Sequence, residues 1–305
     1  MLTIFAIPKS FVGHIGIIQR NAIKSWLALG KSVEVLLLGD ETGIAAVAAE
    51  FNLRHIPSLD RNKFNTPTVS SAFEIAQNEA HGSTMAYVNA DIILPSSLLK
   101  PLGSIPFKRF LISCQRIDLE VTEELDFGSP DWESRLQDWV AASGKPMGPT
   151  GMDCFIFPKG MYQHLPPFGI GRAGWDTWLI YWTRRQRIPV IDATPVATII
   201  HQNHDYSHHR DGKEGVHGGP EMAWNIELAG GWDHIFTLED ATWIFTAAGL
   251  KKSAWTKNNY LRRLQKLSAL HPRSKPVVKL ILLWVQLLQK GLHKSAAGFR
   301  RLLHY

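Results

Sequence analysis

Three short stretches concentrate side chains able to bind ions or move protons. The first is Tyr87-Val88-Asn89-Ala90-Asp91, at the polar end of an apolar run. A carboxylate at the end of a buried strand is costly unless it meets a cation or donor groups. A hard divalent cation on Asp91 would bridge it to a diphosphate and neutralise charge on a departing nucleotide. Asn89, two residues earlier, shares the face of Asp91 and suits a ribose hydroxyl or a metal-bound water. The second stretch is Ile199-Ile200-His201-Gln202-Asn203-His204-Asp205-Tyr206-Ser207-His208-His209. His201, His204 and His208 with Asp205 could hold Zn²⁺ without any nucleotide, or could line a solvated loop. The third is Gly171-Arg172-Ala173-Gly174-Trp175-Asp176, a Gly-rich turn running into a helix. The helix dipole at this position predicts a lowered pKa for Asp176.

The elements that must position these groups follow from hydrophobic spacing. Residues 3–8, 32–40 and 83–95 are apolar runs ending in polar or turn residues, as in buried parallel strands. A third strand is expected at 53–58. Helical spacing over 16–30, 42–52 and 66–80 separates the runs, with Thr66 as an N-cap and Pro67 at the first position of the last helix. This alternation predicts an α/β fold with a doubly wound, mostly parallel sheet, whose ligands lie at the carboxyl ends of the strands. The polar residues at those ends are Pro8-Lys9, Gly39-Asp40 and Asn89-Ala90-Asp91. Lys9 and Arg20 suit phosphate, with His14 between them. Asp40 is placed to meet a base or ribose, and Arg61, in a polar loop, a phosphate. Further along, strands are expected at 110–121 and 154–158, a mobile Gly/Pro-rich loop at 144–153 and a helix at 175–187. One or two strands are expected within 188–202 and a loop at 203–220.

Thr3 to about Asp240 resembles a GT-A-type glycosyltransferase, the nucleotide-diphospho-sugar transferase fold that carries an Asp-x-Asp motif at this strand end. Asn-Ala-Asp stands at that place, with Asn89 where the family has its first Asp. The resemblance implies a nucleotide-sugar donor bound by Pro8, Lys9, His14, Arg20, Asp40, Arg61, Asn89, Ala90 and Asp91. It implies a Mn²⁺ or Mg²⁺ cofactor on Asp91 and His201, with His204 as the next choice. It also implies Asp176 as the base of an inverting transfer to a glycan or lipid-linked acceptor. Met152 and Asp153 fall where the family often contacts sugar or acceptor. Trp175 would stack on a sugar or pack internally. A metal-dependent zinc hydrolase centred on 201–209 is one alternative. Sugar-phosphate nucleotidyl transfer is another, although FAIPKSFVGHIG lacks the Gly-rich basic pattern it needs.

Charge divides the chain. Residues 1–240 hold all 27 acidic residues and 20 of the 33 Lys and Arg, a net of −7, whereas 241–305 hold 13 basic residues and no acid. The expected organisation is a nucleotide-sugar-binding half at 1–109, an acceptor or catalytic half of the same domain at 110–250, and a basic helical tail at 251–305. In the tail, Lys279, Gln286, Lys290, Lys294 and Arg301 share one helical face. The uncharged run Leu280–Gln289 is too short to span a bilayer, which needs about 20 residues. A basic amphipathic helix on an anionic membrane surface is expected, with packing on the body or in a homodimer as the alternative. Nucleic acid is disfavoured as a partner, because the body is acidic and the tail has no readout motif. The start MLTIFAIP reads as a strand and not a signal peptide. Cys114 and Cys154 sit singly in apolar runs, as buried thiols would in a reducing compartment. Both features point to the cytoplasmic face of a membrane.

Overall fold

The computed structural model describes residues 1–204, 218–256 and 259–285 of the 305-residue chain. Asp205, His208 and His209, together with the tail positions Gln286, Lys290, Lys294 and Arg301, lie outside the described residues. The chain divides into two units, the second beginning at Ala254.

The first unit is built on a large mixed sheet. β1 (Leu2–Ala6), β2 (Val33–Leu38), β3 (Arg54–Ile56) and β4 (Thr84–Val88) are parallel, with β1 between β2 and β4. They are joined through α1 (Gly13–Ala28), α2 (Ile44–Glu50) and α3 (Val69–Glu79). The sheet then runs on from β4 through β9 (Cys154–Pro158), which is antiparallel to both of its neighbours. Beyond it lie β6 (Leu111–Ser113), β10 (Val190–Asp192), β12 (Trp243–Thr246) and β13 (Gly249–Lys252). One sheet thus joins the two expected halves. Apolar side chains from β1, β2, β4 and β9 fill its core, and Trp26 of α1 is fully buried there. The α/β architecture with a large, mostly parallel sheet is as the sequence predicts.

A smaller four-stranded sheet corrects two of the expected strands. The run 83–95 stops at Val88, turns through Asn89–Asp91, and re-enters as β5 (Ile92–Ile93) in this second sheet. The run 110–121 likewise splits into β6 and β7 (Arg116–Leu119). β5 pairs antiparallel with β11 (Ile199–Gln202), which pairs in parallel with β7. β8 (Lys145–Pro146) pairs with β7 on its far side, so part of the expected loop 144–153 is strand. α4 (Trp132–Ser143) packs Leu136 against Leu119, Val121 and Ile200. The helix expected at 66–80 begins later, because Thr68 and not Thr66 is its N-cap, accepting a hydrogen bond from Ser71 N at 3.4 Å. The sequence reading missed the β12–β13 hairpin, whose turn is made by Gly249 at a φ of 101°.

At the other end of β1 and β2 from the polar strand ends, Glu34 ties β2 to both of its neighbours. It accepts hydrogen bonds from Thr3 Oγ1 (2.6 Å), His81 N (2.9 Å) and Arg54 Nη1 (3.0 Å), and His81 Nδ1 lies 2.7 Å away. Burial works against its charge, but these donors outweigh burial and bring its pKa down to about 2. The folded pKa is depressed, so the stabilisation is complete above the unfolded value and is lost as pH falls from about 4.5 to about 2. Glu34→Gln should therefore cost about 2 kcal/mol at pH 7. Chemical denaturation of both proteins at pH 7 and pH 2.5 checks this: the gap should narrow in acid, and an equal gap at both pH values would refute the assignment.

The second unit contains α7 (Tyr260–Leu270) and a helical segment over 275–285. In the latter Val278 is buried, whereas Val277, Leu280, Ile281, Leu283 and Trp284 are exposed. No helix among the described residues is long and apolar enough to cross a membrane.

Candidate functional site

β1 leads to β2 on one side, and β4 returns on its other side, so the strand order reverses between β1 and β4. A crevice opens at such a switch point beyond the strand ends. Lys9, after β1, and Asn89 to Asp91, after β4, are placed there. Buried Gln19 of α1 fixes Lys9 by bonding its backbone twice: Lys9 N donates to Oε1 (2.6 Å), and Nε2 donates to Lys9 O (2.9 Å).

The small sheet adds the histidines. His201 stands opposite Ile92 on one side and Asp118 on the other. Gln202 N donates to Asp91 O at 3.2 Å, and its side-chain amide donates to Asp91 O and Ile18 O. Buried Asn21 of α1 in turn donates to Gln202 Oε1 at 3.0 Å. These amides fasten the end of β11 to the β4–β5 turn. As a result His204 Nε2 lies 3.1 Å and His201 Nε2 3.8 Å from Asp91 Oδ2. Lys9 Nζ lies 3.5 Å from His204 Nε2. Burial opposes ionisation of Asp91, but His201, His204 and Lys9 overcome it and hold its carboxyl far below the usual range. The same pairing raises the pKa of His201: burial alone would lower it, and Asp118 and Asp91 reverse the sign.

One observation tests whether the site suits a cation. Asp91 Oδ1 is buried and has no hydrogen-bond partner among the described residues. A buried carboxylate oxygen left so is expensive. The ligand atoms of Asp91, His201 and His204 lie within 4.8 Å of one another, close enough to converge on one ion. One carboxylate and two imidazoles suit Mn²⁺ or Zn²⁺ better than Mg²⁺, which prefers oxygen. His204, the second choice from sequence, is thus drawn into the site beside His201.

A polar chain leads away from this triad. Arg116 Nε is 2.9 Å from Asp118 Oδ1, and its Nη1 donates to Asp153 Oδ2 at 2.7 Å. Asp153 Oδ1 accepts from Asn89 Nδ2 (2.6 Å), and Asn89 Oδ1 accepts from the Tyr87 hydroxyl (2.8 Å). Burial, then the charges of Asp153, Asp91 and Asp176, keep the Tyr87 phenol protonated. Asn89, bonded to Asp153 and Tyr87, and Asp153, bonded to Asn89 and Arg116, both support the turn.

Asp176 lies in the first turn of α5 (Trp175–Arg185) and accepts a 2.8 Å hydrogen bond from Thr177 N. Its pKa moves opposite to the helix-dipole expectation, up to about 6. Burial is the largest cause and the charge of Asp153 adds to it, while backbone N–H groups oppose them. The turn before it is held by buried Asn225 of α6 (Pro220–Leu228), which accepts from Gly169 N and donates to Gly169 O. Arg172 in the same turn pairs with buried Glu221 at 2.8 Å.

The remaining predicted residues divide. Asp40 and Arg61 meet at 2.6 Å at the β2 end, with Asp40 largely exposed. His14 Nε2 lies 2.6 Å from Val121 O. Pro8, Ala90 and Met152 are buried. Met152, at 2% exposure, has no face left for a sugar. Trp175 is buried against Tyr87, Phe155 and Phe73, so it packs and does not stack on a sugar. Arg20 is paired with Glu50 at 2.7 Å and lies over Phe51. Sequence reasoning missed Arg116, Asp118, Gln202 and Asn21. The signal for the first two was their i, i+2 spacing on one face of the apolar run 110–121.

No family model and no curated protein matches the chain. Among solved structures, S. aureus TarS (residues 1–349) is 12% identical over 39% of this chain and 36% of its own, with a TM-score of 0.31. The mannosyltransferase PcManGT of Pyrobaculum calidifontis, in complex with GDP-Man and Mn²⁺, is 13% identical over 65% of this chain and 56% of its own, at 0.42. Glucosyl-3-phosphoglycerate synthase of Mycobacterium tuberculosis, in complex with Mg²⁺ and UDP, is 13% identical over 76% of this chain and 80% of its own, at 0.44. The chain thus spans about a third of the first of these and just over half of the second. At these identities and scores the likenesses carry no part of the functional reading, which rests on the residues described above.

Proposed function

We propose that this chain is a glycosyltransferase of GT-A type that moves a sugar from a nucleotide-diphosphate donor to a hydroxyl of a glycan or lipid-linked acceptor. The observation that carries this reading is Asp91. It is a largely covered carboxylate at the switch point, with a buried Oδ1 that has no partner among the described residues, two histidines beside Oδ2, and Lys9 next to His204. Asp91, His201 and His204 would hold a divalent ion. When bound, the ion supplies positive charge to the diphosphate of the leaving group. Lys9 would add a second positive charge from the neighbouring end of β1. Asp40 and Arg61, paired at the end of β2, would meet the nucleoside. Asp176, with a pKa of about 6, is ionised at neutral pH and basic enough to accept the proton of an attacking hydroxyl. This assignment corresponds to an inverting transfer.

Two imidazoles and one carboxylate also form a catalytic zinc set, which supports a metal-dependent hydrolase as the second reading. A thermal-shift panel separates the two. Nucleoside diphosphates and nucleotide sugars are each tested with and without Mn²⁺, and Zn²⁺ is tested alone. Transfer predicts that one nucleotide stabilises the protein only when Mn²⁺ is present, by about 2.7 kcal/mol at a hundredfold excess over its Kd. A response to Zn²⁺ alone, with none to any nucleotide, would sink the transferase.

The same reading includes a membrane-surface role for the basic tail. The 275–285 segment exposes Leu280 (57%) and Trp284 (60%) within a stretch that has no acidic residue after Asp240. The full chain should sediment with vesicles containing about a third anionic lipid. It should do so much less with neutral vesicles or at 0.5 M salt, since each basic residue near the surface contributes about 1 kcal/mol. Leu280→Ser with Trp284→Ser should weaken binding at least tenfold. Equal sedimentation with neutral and anionic vesicles would count against it.

A further inference from the structure

We propose that Asp118 is the positioning residue for His201: its carboxylate holds the ring by Nδ1 so that Nε2 is the nitrogen presented to Asp91. The proposal rests on reading Asp91, His201 and His204 as a cation site, and extends it to a residue outside that triad.

The parallel register of β7 and β11 sets Asp118 directly opposite His201. The two edges of the imidazole face two different carboxylates. Nδ1 lies 3.2 Å from Asp118 Oδ1, and Nε2 lies 3.8 Å from Asp91 Oδ2. The Nδ1 approach is off the line of a good hydrogen bond, so the contact is electrostatic, and the carboxylate favours a proton on the nitrogen that faces it. A neutral imidazole that ligates through Nε2 must carry its proton on Nδ1, and a carboxylate at Nδ1 selects that tautomer and fixes the plane of the ring.

Asp118 is itself held. Arg116, two residues before it on the same strand face, lies against Asp118 Oδ1 and bonds Asp153, which bonds Asn89. Asn89 stands in the turn that carries Asp91. One guanidinium therefore ties the carboxylate behind His201 to the strand end that bears Asp91. Asp118, Arg116, Asp153 and His201 are all largely covered, at 21, 16, 12 and 11% side-chain exposure. The simpler account makes Asp118 only a counter-ion for Arg116. That account leaves metal affinity and the His201 tautomer unmoved when Asp118 is changed.

The test uses the full chain and Mn²⁺ alone, titrated by calorimetry, with ¹⁵N-detected histidine spectra of the metal-free protein recorded at a pH where the ring is neutral. Asp118→Ala should weaken Mn²⁺ binding about 10- to 100-fold. Asp118→Asn should keep part of the affinity, because its amide oxygen can still face Nδ1 and favour a proton there. The wild-type His201 ring should show the Nδ1–H tautomer, and in Asp118→Ala it should shift toward Nε2–H. A Kd for folded Asp118→Ala within twofold of wild type overturns the proposal, as does a wild-type ring protonated on Nε2. If Asp118→Ala does not fold, the wild-type tautomer decides alone. Failure of the wild type to bind Mn²⁺ would defeat the cation reading, whereas the metal-free tautomer still judges the hold of Asp118 on His201.

Discussion

Asp91→Ala is expected to lower kcat/KM for sugar transfer by about 10³-fold and to erase the Mn²⁺-dependent thermal shift given by the donor nucleotide. The size follows from removing an interaction worth several kcal/mol in the transition state, at about 1.4 kcal/mol per factor of ten. Asp91 is the one carboxylate of the triad, and its two histidines do not supply negative charge to hold a dication. The residue also balances charge in the metal-free protein. His201, His204 and Lys9 all favour its ionised form, so its loss removes the negative charge that these groups surround. Circular dichroism and a denaturation curve must accompany the kinetics, and Asp91→Asn serves as the isosteric check. A folded Asp91→Ala that keeps a metal-dependent nucleotide shift within a few fold of wild type would move the ion to other residues.

Asp176→Asn should reduce kcat by about 10²- to 10⁴-fold while leaving donor binding near wild type. The pH profile makes the prediction specific. A base must be ionised, and the Asp176 pKa is about 6, so the wild-type rate should be level above pH 7 and fall about tenfold per unit below pH 6. The residual rate of the asparagine variant should lack this acid limb. Stability moves the other way. Between about pH 3.8 and 6 the folded protein keeps a proton that the unfolded chain has released, so folding weakens as pH rises through this window. With the carboxylate partly accessible, Asp176→Asn should gain about 1 kcal/mol at pH 7. A variant that is less active yet more stable marks a group kept for chemistry. An unchanged rate, or an acid limb that persists in Asp176→Asn, would remove Asp176 from the base role and with it the inverting assignment.

Much of the first sheet was legible because its signals are local. Apolar runs with helical spacing between them identify β1, β2 and β4, and the polar residues that stop those runs mark the strand ends where Lys9, Asp40 and Asp91 stand. His201 could be singled out as the first polar residue after an apolar run. Local patterns misled where a run served two sheets: residues 83–95 and 110–121 are continuous in hydrophobicity but not in space. Both faces of a buried strand are apolar, so the pattern does not record which neighbour each part pairs with.

The tertiary structure alone decided the company these groups keep. Asp118 faces His201 across 83 residues of chain because β7 and β11 share a register. Asn21 and Gln202, 181 apart in sequence, seat β11 against Asp91. Helix position alone predicts a lowered pKa for Asp176, because the dipole acts locally, but burial beside Asp153 raises it. Trp175 reads equally as a sugar platform or a core residue until Tyr87 and Phe155 cover it. The sequence by itself determined which side chains stand at strand ends, since that depends on period and punctuation along the chain. Which of them meet, and with what charge, depends on pairing between distant strands and on how much water they exclude, and the linear pattern contains neither.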